Sequence, residues 1–452
     1  MSGALVLFTR DLRVNDHRAL VAAAREHEHV LPVFVLDDAL LSGSAGTPNR
    51  RRFLRESLTN LHESLSGLGS GLTVRRGEPA REAIRLARRH GLDAIHMSSD
   101  HSPHARLRDR GIAAACVRER IELRRFGGIT AVEPGALAPA GSEHYRVFTP
   151  YWRVWSSLAR AAPERPPGRL RLPAGARASP ERAISWLGRG GSEDLAAGGE
   201  TAARRMLKRW LTRGVDGYGE GRDDLAHENT SRLSAHLHFG TISAGEILAR
   251  LPAGPGPQGF ARQLCWRDFH HQVLAASPRM TREDYRPRGD RWRRDTRSAQ
   301  AWMAGMTGYP IVDAGMRQLA REGFMHNRAR MIVASFLTKT LYIDWRVGAA
   351  HFASLLADAD VACNTGNWQW VAGTGNDTRP NRILNPLRQA HRLDPDGEYV
   401  RRYVPELEAL PGASVHEPWL LPERERRTLR YPERGLRAVA AGEARRQAGR
   451  SA

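Results

Sequence analysis

Over residues 1–130, short apolar runs of strand length alternate with stretches whose apolar residues recur at helical spacing. Residues 4–8 (ALVLF) and 30–36 (VLPVFVL) are continuous apolar runs, as expected of strands covered on both faces. Residues 72–75 and 94–97 are shorter runs flanking an amphipathic segment at 80–90. Residues 51–65 carry Phe53, Leu54, Leu58, Leu61 and Leu65 on one stripe. Such a chain can bury its apolar surfaces only as a parallel sheet with helices on both sides, so the sequence predicts an α/β domain over 1–130. Asn15 or Asp16 is positioned to cap a first helix over 17–25. No G-x-G-x-x-G follows the first strand, so a dinucleotide fingerprint does not define this domain.

The rhythm stops near residue 130. Residues 131–195 are dense in proline and glycine (Pro163, Pro166, Pro167, Gly168, Pro173, Gly175) and predict an interdomain linker laid over the surface. Residues 196–440 read as mostly helical, and residues 441–452 as a polar tail. All eleven tryptophans lie after residue 151, so the two halves also differ in composition. Pro310 can open a helix over 311–322. Asp344 can cap another over 345–356, with Trp345, Ala349, Phe352 and Leu356 on one face.

The formal net charge is +20, from 69 Lys+Arg against 49 Asp+Glu, which suits a polyanionic partner such as nucleic acid. Only Lys208 and Lys339 are lysines, and neither follows a glycine, which excludes a Walker A loop. The arginine bias also fits GC-rich codon usage. Cys116, Cys265 and Cys363 are too few and too scattered for a disulfide framework or a C-x-x-C site, so a cytoplasmic setting is expected. No apolar run approaches the ~20 residues of a membrane span.

Three constellations in the helical half carry chemistry. Tyr218, Arg222 and Asp223 precede Thr230, Ser231, Arg232, Leu233 and Ser234. Hydroxyls, an arginine and backbone N–H groups ahead of a helix can bind a diphosphate, although a plain helix cap would look the same. Gln263 and Trp266 share a helix face, as do Asn327, Arg330 and Met331, with Arg328 beside them. A tryptophan next to amides can stack on a base and read its edge, or simply pack in a core. Asp358, Asp360, Asn364, Trp368 and Trp370 crowd thirteen positions. Metal binding there lacks nearby histidines, so no metal is expected. His236, His238, His270 and His271 read as packing or surface histidines.

Several separated blocks resemble the class I cyclobutane pyrimidine dimer photolyases of the photolyase/cryptochrome family: LVLFTRDLRVNDH at 5–17, TSRLS at 230–234, WRDF at 266–269, TGYPIVDAGMRQL at 307–319, MHNRARM at 325–331, IDWR at 343–346 and NWQW at 367–370. The resemblance covers nearly the whole chain. It implies an N-terminal antenna domain and an all-helical C-terminal domain that binds FAD, reduced in the active form, and DNA carrying ultraviolet-induced pyrimidine dimers. It implies that Tyr218, Thr230, Ser231, Arg232, Leu233, Ser234, Arg330, Asp358, Asp360 and Asn364 hold the cofactor, with Arg330 paired to Asp358 and Asn364 facing flavin N5. Trp368, Trp345 and Trp292 would pass electrons inward. Arg222, Gln263, Trp266, Asn327, Arg328, Met331 and Trp370 would form the lesion pocket, with Gln263, Asn327 and Asn364 nearest the chemistry.

The chain departs from that pattern in places. Gln263 stands where well-known cyclobutane-dimer enzymes have glutamate, which resembles (6-4) photolyases and animal cryptochromes. Asn327 stands where (6-4) enzymes have histidine, and His326 precedes it. The stretch Thr378–Ile383 differs from the enterobacterial form. The leading expectation is a cyclobutane-dimer photolyase. The alternatives are a (6-4) photolyase or a cryptochrome-like photoreceptor, for which only about a dozen polar residues follow Val439. Pro103 and His104 replace the Asn-Glu pair of folate-using relatives, while Arg50–Arg52 and Asp100 suit a deazaflavin. An 8-hydroxy-5-deazaflavin antenna is therefore expected in preference to methenyltetrahydrofolate. The enzyme is expected to act as a monomer without an obligate protein partner.

Overall fold

The computed structural model describes residues 2–43, 46–178 and 180–433. The tail expected at 441–452, and the end of the helical region expected to 440, lie outside the described residues. Strands β1 (Gly3–Phe8), β2 (His29–Leu36), β3 (Thr73–Arg76), β4 (Ala94–Ser98) and β5 (Glu122–Phe126) form one sheet in the order β3-β2-β1-β4-β5, with every pair parallel. The strand period of two sorts the apolar residues into two layers. Leu5, Leu7, Leu31, Val33, Ile95 and Met97 pack with Ala83, Ile84, Ala87 and Ile112 on one face. Ala4, Val6, Phe8, Val30, Phe34 and Leu36 pack with Leu20, Phe53, Leu58 and Leu61 on the other.

The first helix, α1 (Arg18–Glu26), is capped by His17, whose ring accepts the Leu20 N–H at 3.0 Å. Asn15 and Asp16 do not cap it, because both are taken by distant segments. Asn15 donates to Glu200 at 2.5 Å. Asp16, at φ 50°, accepts the Glu164 N–H at 3.1 Å and the Ser243 hydroxyl.

Residues 131–195 do more than run over the surface. They include the helix Phe148–Ser157, whose Phe148, Tyr151 and Trp155 are buried with Val132 against the helical half. Leu170, Ile184, Leu187 and Leu195 enter the core beneath the sheet. Isolated apolar anchors between prolines leave no periodicity to read. They are fixed instead by long-range polar contacts: fully buried Asp268 accepts the Val132 N–H and the Trp155 indole N–H, each at 2.9 Å.

In the helical half, Pro310–Glu322, Asn327–Ser335, Trp345–Leu355 and Val361–Ala372 surround a core containing Trp302, Trp345 and Trp368. Pro310 opens its helix, and Asp344 caps the next through the Arg346 N–H at 2.9 Å. The halves meet where the loop after β1 docks on the helix Ser234–Phe239. Arg13 donates to the Gly240 carbonyl at 3.0 Å, and the Leu12 N–H to that of Phe239 at 3.2 Å. Gly240 is required here: its φ is 66°, and a Cβ would lie 1.9 Å from the Arg10 carbonyl oxygen. Among the described residues, no helix is long and apolar enough to cross a membrane.

Candidate functional site

In an open parallel sheet the crevice opens at the carboxyl ends of the strands, where the strand order reverses. Here that point lies between β1 and β4, and the loops leaving them carry Arg10 and Asp100. Arg10 binds Asp100 at 3.2 Å, the His238 carbonyl at 3.0 Å, and Asp360 of the helical half. Asp360 caps the helix Val361–Ala372 by accepting the Cys363 N–H at 3.0 Å, and His271 lies 3.3 Å from its other oxygen. Burial opposes charge on Asp360, but His271 and Arg10 outweigh it and hold the carboxyl well below its usual range.

His236, His238, His270 and His271 are thus not surface groups. Burial lowers the pKa of His236, His238 and His270 to about 4 each. Donor atoms of His271, Asp360 and Cys363 converge within 4.8 Å, so a histidine absent from the local sequence is supplied by the fold. The cluster is nevertheless a poor metal site. Arg10 already balances Asp360, and burial with the Asp360 charge pushes the Cys363 thiol well up, keeping it protonated.

Beside this network Arg330 grips Asp358 with two hydrogen bonds, at 3.1 and 2.7 Å. Burial would raise the Asp358 pKa, but Arg330 lowers it, so the carboxylate stays charged. Buried Ser234 Oγ lies beside Asp358 and lacks a hydrogen bond of ordinary geometry. Asn364 donates its amide N–H to the Ala349 carbonyl at 3.0 Å, which fixes its side-chain oxygen as the group left for other contacts. Thr230 and Ser231 are half-buried before Leu233, whose side chain is 1% exposed. Arg232, at φ 52°, has its charge committed to Glu228 at 2.7 Å and to Glu322. Tyr218 packs edge-on to Trp210 and Phe260.

Trp368 and Trp345 are buried in one core, and half-buried Trp292 packs against it, resting on Tyr342 at 5.1 Å. The Trp345 indole donates to Asp284 at 2.9 Å. Trp368 meets Phe352 at 5.0 Å and Trp302 at 6.0 Å. Gly348 makes room for it, since a Cβ there would stand 2.1 Å from the indole ring.

A third set lines the meeting of the helices Pro255–Ala276, Asn327–Ser335 and Val361–Ala372 with the turn Tyr218–Gly221. Trp266 is half-buried, with Phe148 stacked on one face at 3.7 Å and 4°. Gln263 contacts its own helix at the Gly259 carbonyl, 3.4 Å away. Asn327 is exposed at the start of its helix, with Met331 a turn later. Arg328 binds Asp223 with two bonds, at 2.6 and 2.8 Å, tying that helix to the turn that carries Arg222. Trp370 is half-buried, and Arg382 lies 5.4 Å over its ring. Sequence reading passed over Arg10, Phe148 and Arg382 as site residues, placed Asp100 with the antenna, and took His238 and His271 for packing or surface groups. Arg10 and Asp11 put charge directly after a buried strand, the one local feature in the sequence that could have drawn attention to this junction.

Residues 4–168 match the family model for DNA photolyase, and residues 260–450 that for the FAD binding domain of DNA photolyase. The chain is 49% identical over 440 residues to a deoxyribodipyrimidine photo-lyase of Streptomyces griseus, covering 96% of each. The chain belongs to the DNA photolyase family. A photolyase relative from Halobacterium salinarum is 38% identical over 94% of each chain. The fold matches a class III photolyase from Agrobacterium tumefaciens with a TM-score of 0.89, at 35% identity, covering 100% of this chain and 97% of that one. It also matches a Synechocystis cryptochrome, with a TM-score of 0.91 at 30% identity and 99% coverage of both.

The helical half of this photolyase-family chain is thus its FAD-binding domain. Its residues fit the cofactor chemically. The Ser234 hydroxyl beside Asp358, the charged Asp358 and Asp360, and the oriented Asn364 offer polar partners to a flavin whose edge carries both donors and acceptors.

Proposed function

We propose that the protein is a deoxyribodipyrimidine photo-lyase that uses blue light to split cyclobutane pyrimidine dimers in DNA. Tyr218, Thr230–Ser234, Arg330, Asp358, Asp360 and Asn364 hold FAD. The chemistry supplied there is a light-driven electron lent by reduced FAD to the dimer and returned once the two ring bonds have broken. The residues bind, orient and exclude water around that exchange. Trp266 and Trp370 are the flat walls for a flipped-out lesion, photolyases being among the enzymes known to extrude their target bases. Phe148 stacked on Trp266 holds that wall in one orientation. Gln263 and Asn327 supply amides to the pyrimidine edges, while Arg222, Arg328 and Met331 border the pocket. Trp292, Trp345 and Trp368 form the route by which the cofactor is recharged.

The observation that carries the cyclobutane reading is the state of His326. A (6-4) product needs a proton moved between its rings, a task for a histidine that can be charged. His326 caps its own helix through the Arg328 N–H at 3.1 Å and is 5% exposed. Burial, then Arg330 and Arg328, lower its pKa to about 4, so at neutral pH it carries no proton to give. Asn327 cannot replace it. The test is to supply reduced protein under blue light with oligonucleotides bearing either lesion. Turnover of the cyclobutane dimer alone is expected. Turnover of the (6-4) product alone would refute the assignment.

The proposed partner is damaged DNA, bound by the protein acting as a monomer. The three free cysteines support a cytoplasmic setting. In the N-terminal domain the proposed antenna is 8-hydroxy-5-deazaflavin. His104, in place of an acidic or amide partner for folate, is tied to Asp37 at 2.8 Å, which supports the preference. Arg50 and Asp100, expected near that antenna, are committed to the domain interface: Arg50 donates to the Leu356 carbonyl at 2.8 Å and Asp100 pairs with Arg10. Arg51 and Arg76 remain nearby, over the exposed Trp186 ring at 5.5 and 3.7 Å. A relative from Sulfolobus tokodaii holds two FAD molecules, so reconstitution should compare deazaflavin, folate and FAD. Energy transfer from folate but not from deazaflavin would overturn the preference.

A further inference from the structure

The N-terminal domain contains a second group of convergent side chains that plays no part in flavin or DNA chemistry. Glu26 is the last residue of α1, His27 caps its carboxyl end, and His96 lies in the middle of β4. Their donor atoms all lie within 4.8 Å of one another. The two imidazoles meet edge to face, with ring centroids 5.4 Å apart, and Phe126 closes the far side of His96 at 5.2 Å. Because α1 ends just before β2 begins, His27 and Glu26 sit toward the amino ends of the strands. Arg10 and Asp100 stand at the opposite, carboxyl ends.

Two observations point to a ligand. His96 is fully buried; one ring nitrogen faces the Ala19 carbonyl outside ordinary hydrogen-bond geometry, and the other has no partner. His27 Nδ1 is likewise buried without a partner. Leaving such nitrogens unsatisfied is costly, and metal-binding histidines commonly direct their second nitrogen to a backbone carbonyl, as His96 does toward Ala19.

We propose that Glu26, His27 and His96 bind a borderline divalent transition-metal ion of the zinc class, clamping the end of α1 to the sheet. Two imidazoles and one carboxylate suit zinc, cobalt or nickel and disfavour magnesium and calcium. Ligands at about 2.1 Å in a tetrahedral site stand about 3.4 Å apart, so the donors must close by roughly an ångström. His27 and Glu26 lie on the outer side and can supply that movement, while His96 is fixed in its strand. Arg124 of β5 now occupies Glu26 and must swing away, and Glu122, 3.9 Å from it, can receive it.

The test uses the full-length, FAD-loaded protein after chelator treatment, titrated with cobalt(II) and followed by visible ligand-field absorption beyond the flavin bands. Uptake of one equivalent, reversed by zinc, is expected. His27→Ala and Glu26→Gln should each weaken it about tenfold or more, and Arg124→Ala should tighten it by removing the competing cation. Flavin content should match across all variants. If His27→Ala loses flavin, the exposed-side Glu26→Gln decides. The proposal is overturned if no equivalent of cobalt is bound, or if affinity is the same in wild type and Glu26→Gln, which would place the ion elsewhere.

Discussion

Replacing Arg10 with glutamine tests the junction on which the site is built. Its guanidinium serves two carboxylates whose side chains are nearly buried, Asp100 at 2% exposure and Asp360 at 5%. Removing one partner of a buried pair leaves an uncompensated charge and costs roughly 3–5 kcal/mol. Arg10 is itself 19% exposed and His271 still faces Asp360, so the lower end applies. The expected loss is about 3 kcal/mol, or some two orders of magnitude in the folded-to-unfolded ratio. Urea unfolding, followed by flavin release and helical circular dichroism, measures it. Adding Asp100→Asn to Arg10→Gln should recover about half of the loss by neutralising one orphaned carboxylate. The sign with pH is fixed as well. Both carboxyls are depressed in the folded wild type, so their stabilisation is present above the ordinary carboxylate range and is lost as pH falls through their lowered values. Without Arg10 they titrate higher, so the gap between variant and wild type should be widest near neutrality and narrow below about pH 4. A cost under about 1 kcal/mol, or a gap that widens in acid, would refute the reasoning.

Other expectations follow from the same geometry. Trp292→Phe should slow photoreduction of oxidised FAD while leaving repair by chemically reduced protein nearly intact; equal loss of both would instead indicate a folding role. Trp345→Phe gives up the bond to Asp284, which keeps Arg346 at 2.9 Å, so stability should fall by only about 1 kcal/mol while photoreduction falls steeply. Trp266→Ala should weaken binding to a dimer-bearing oligonucleotide by roughly 1–3 kcal/mol, measured by fluorescence anisotropy, with little change for undamaged DNA. An equal drop for both DNAs would remove the stacking role.

Much of the fold was legible because its signals are local. Buried parallel strands leave continuous apolar runs, and Pro310 and Asp344 mark helix starts by their own chemistry. The cap of α1 was misread because Asn15 and Asp16 are claimed by Glu200, Glu164 and Ser243, partners up to 227 positions away. The same distance in sequence hid the anchors in 131–195, whose binding to Asp268 follows from no nearby pattern. In the site, Arg330 and Asp358 stand close in sequence and pair as expected. The partners of Asp360 do not, since Arg10 comes from the other half and His271 from a helix 89 positions earlier. Residue type showed what chemistry was available, and only the packing showed which charges meet.

If the proposed function holds, this chain reverses cyclobutane dimers with light through its flavin. The most direct measurement is repair of a defined thymine dimer in an oligonucleotide by the purified FAD-loaded protein, reduced or oxidised, in blue light or darkness. Restored thymine absorbance is expected only with reduced protein under light. Repair in darkness, equal repair by the oxidised protein, or no repair in any arm would contradict it.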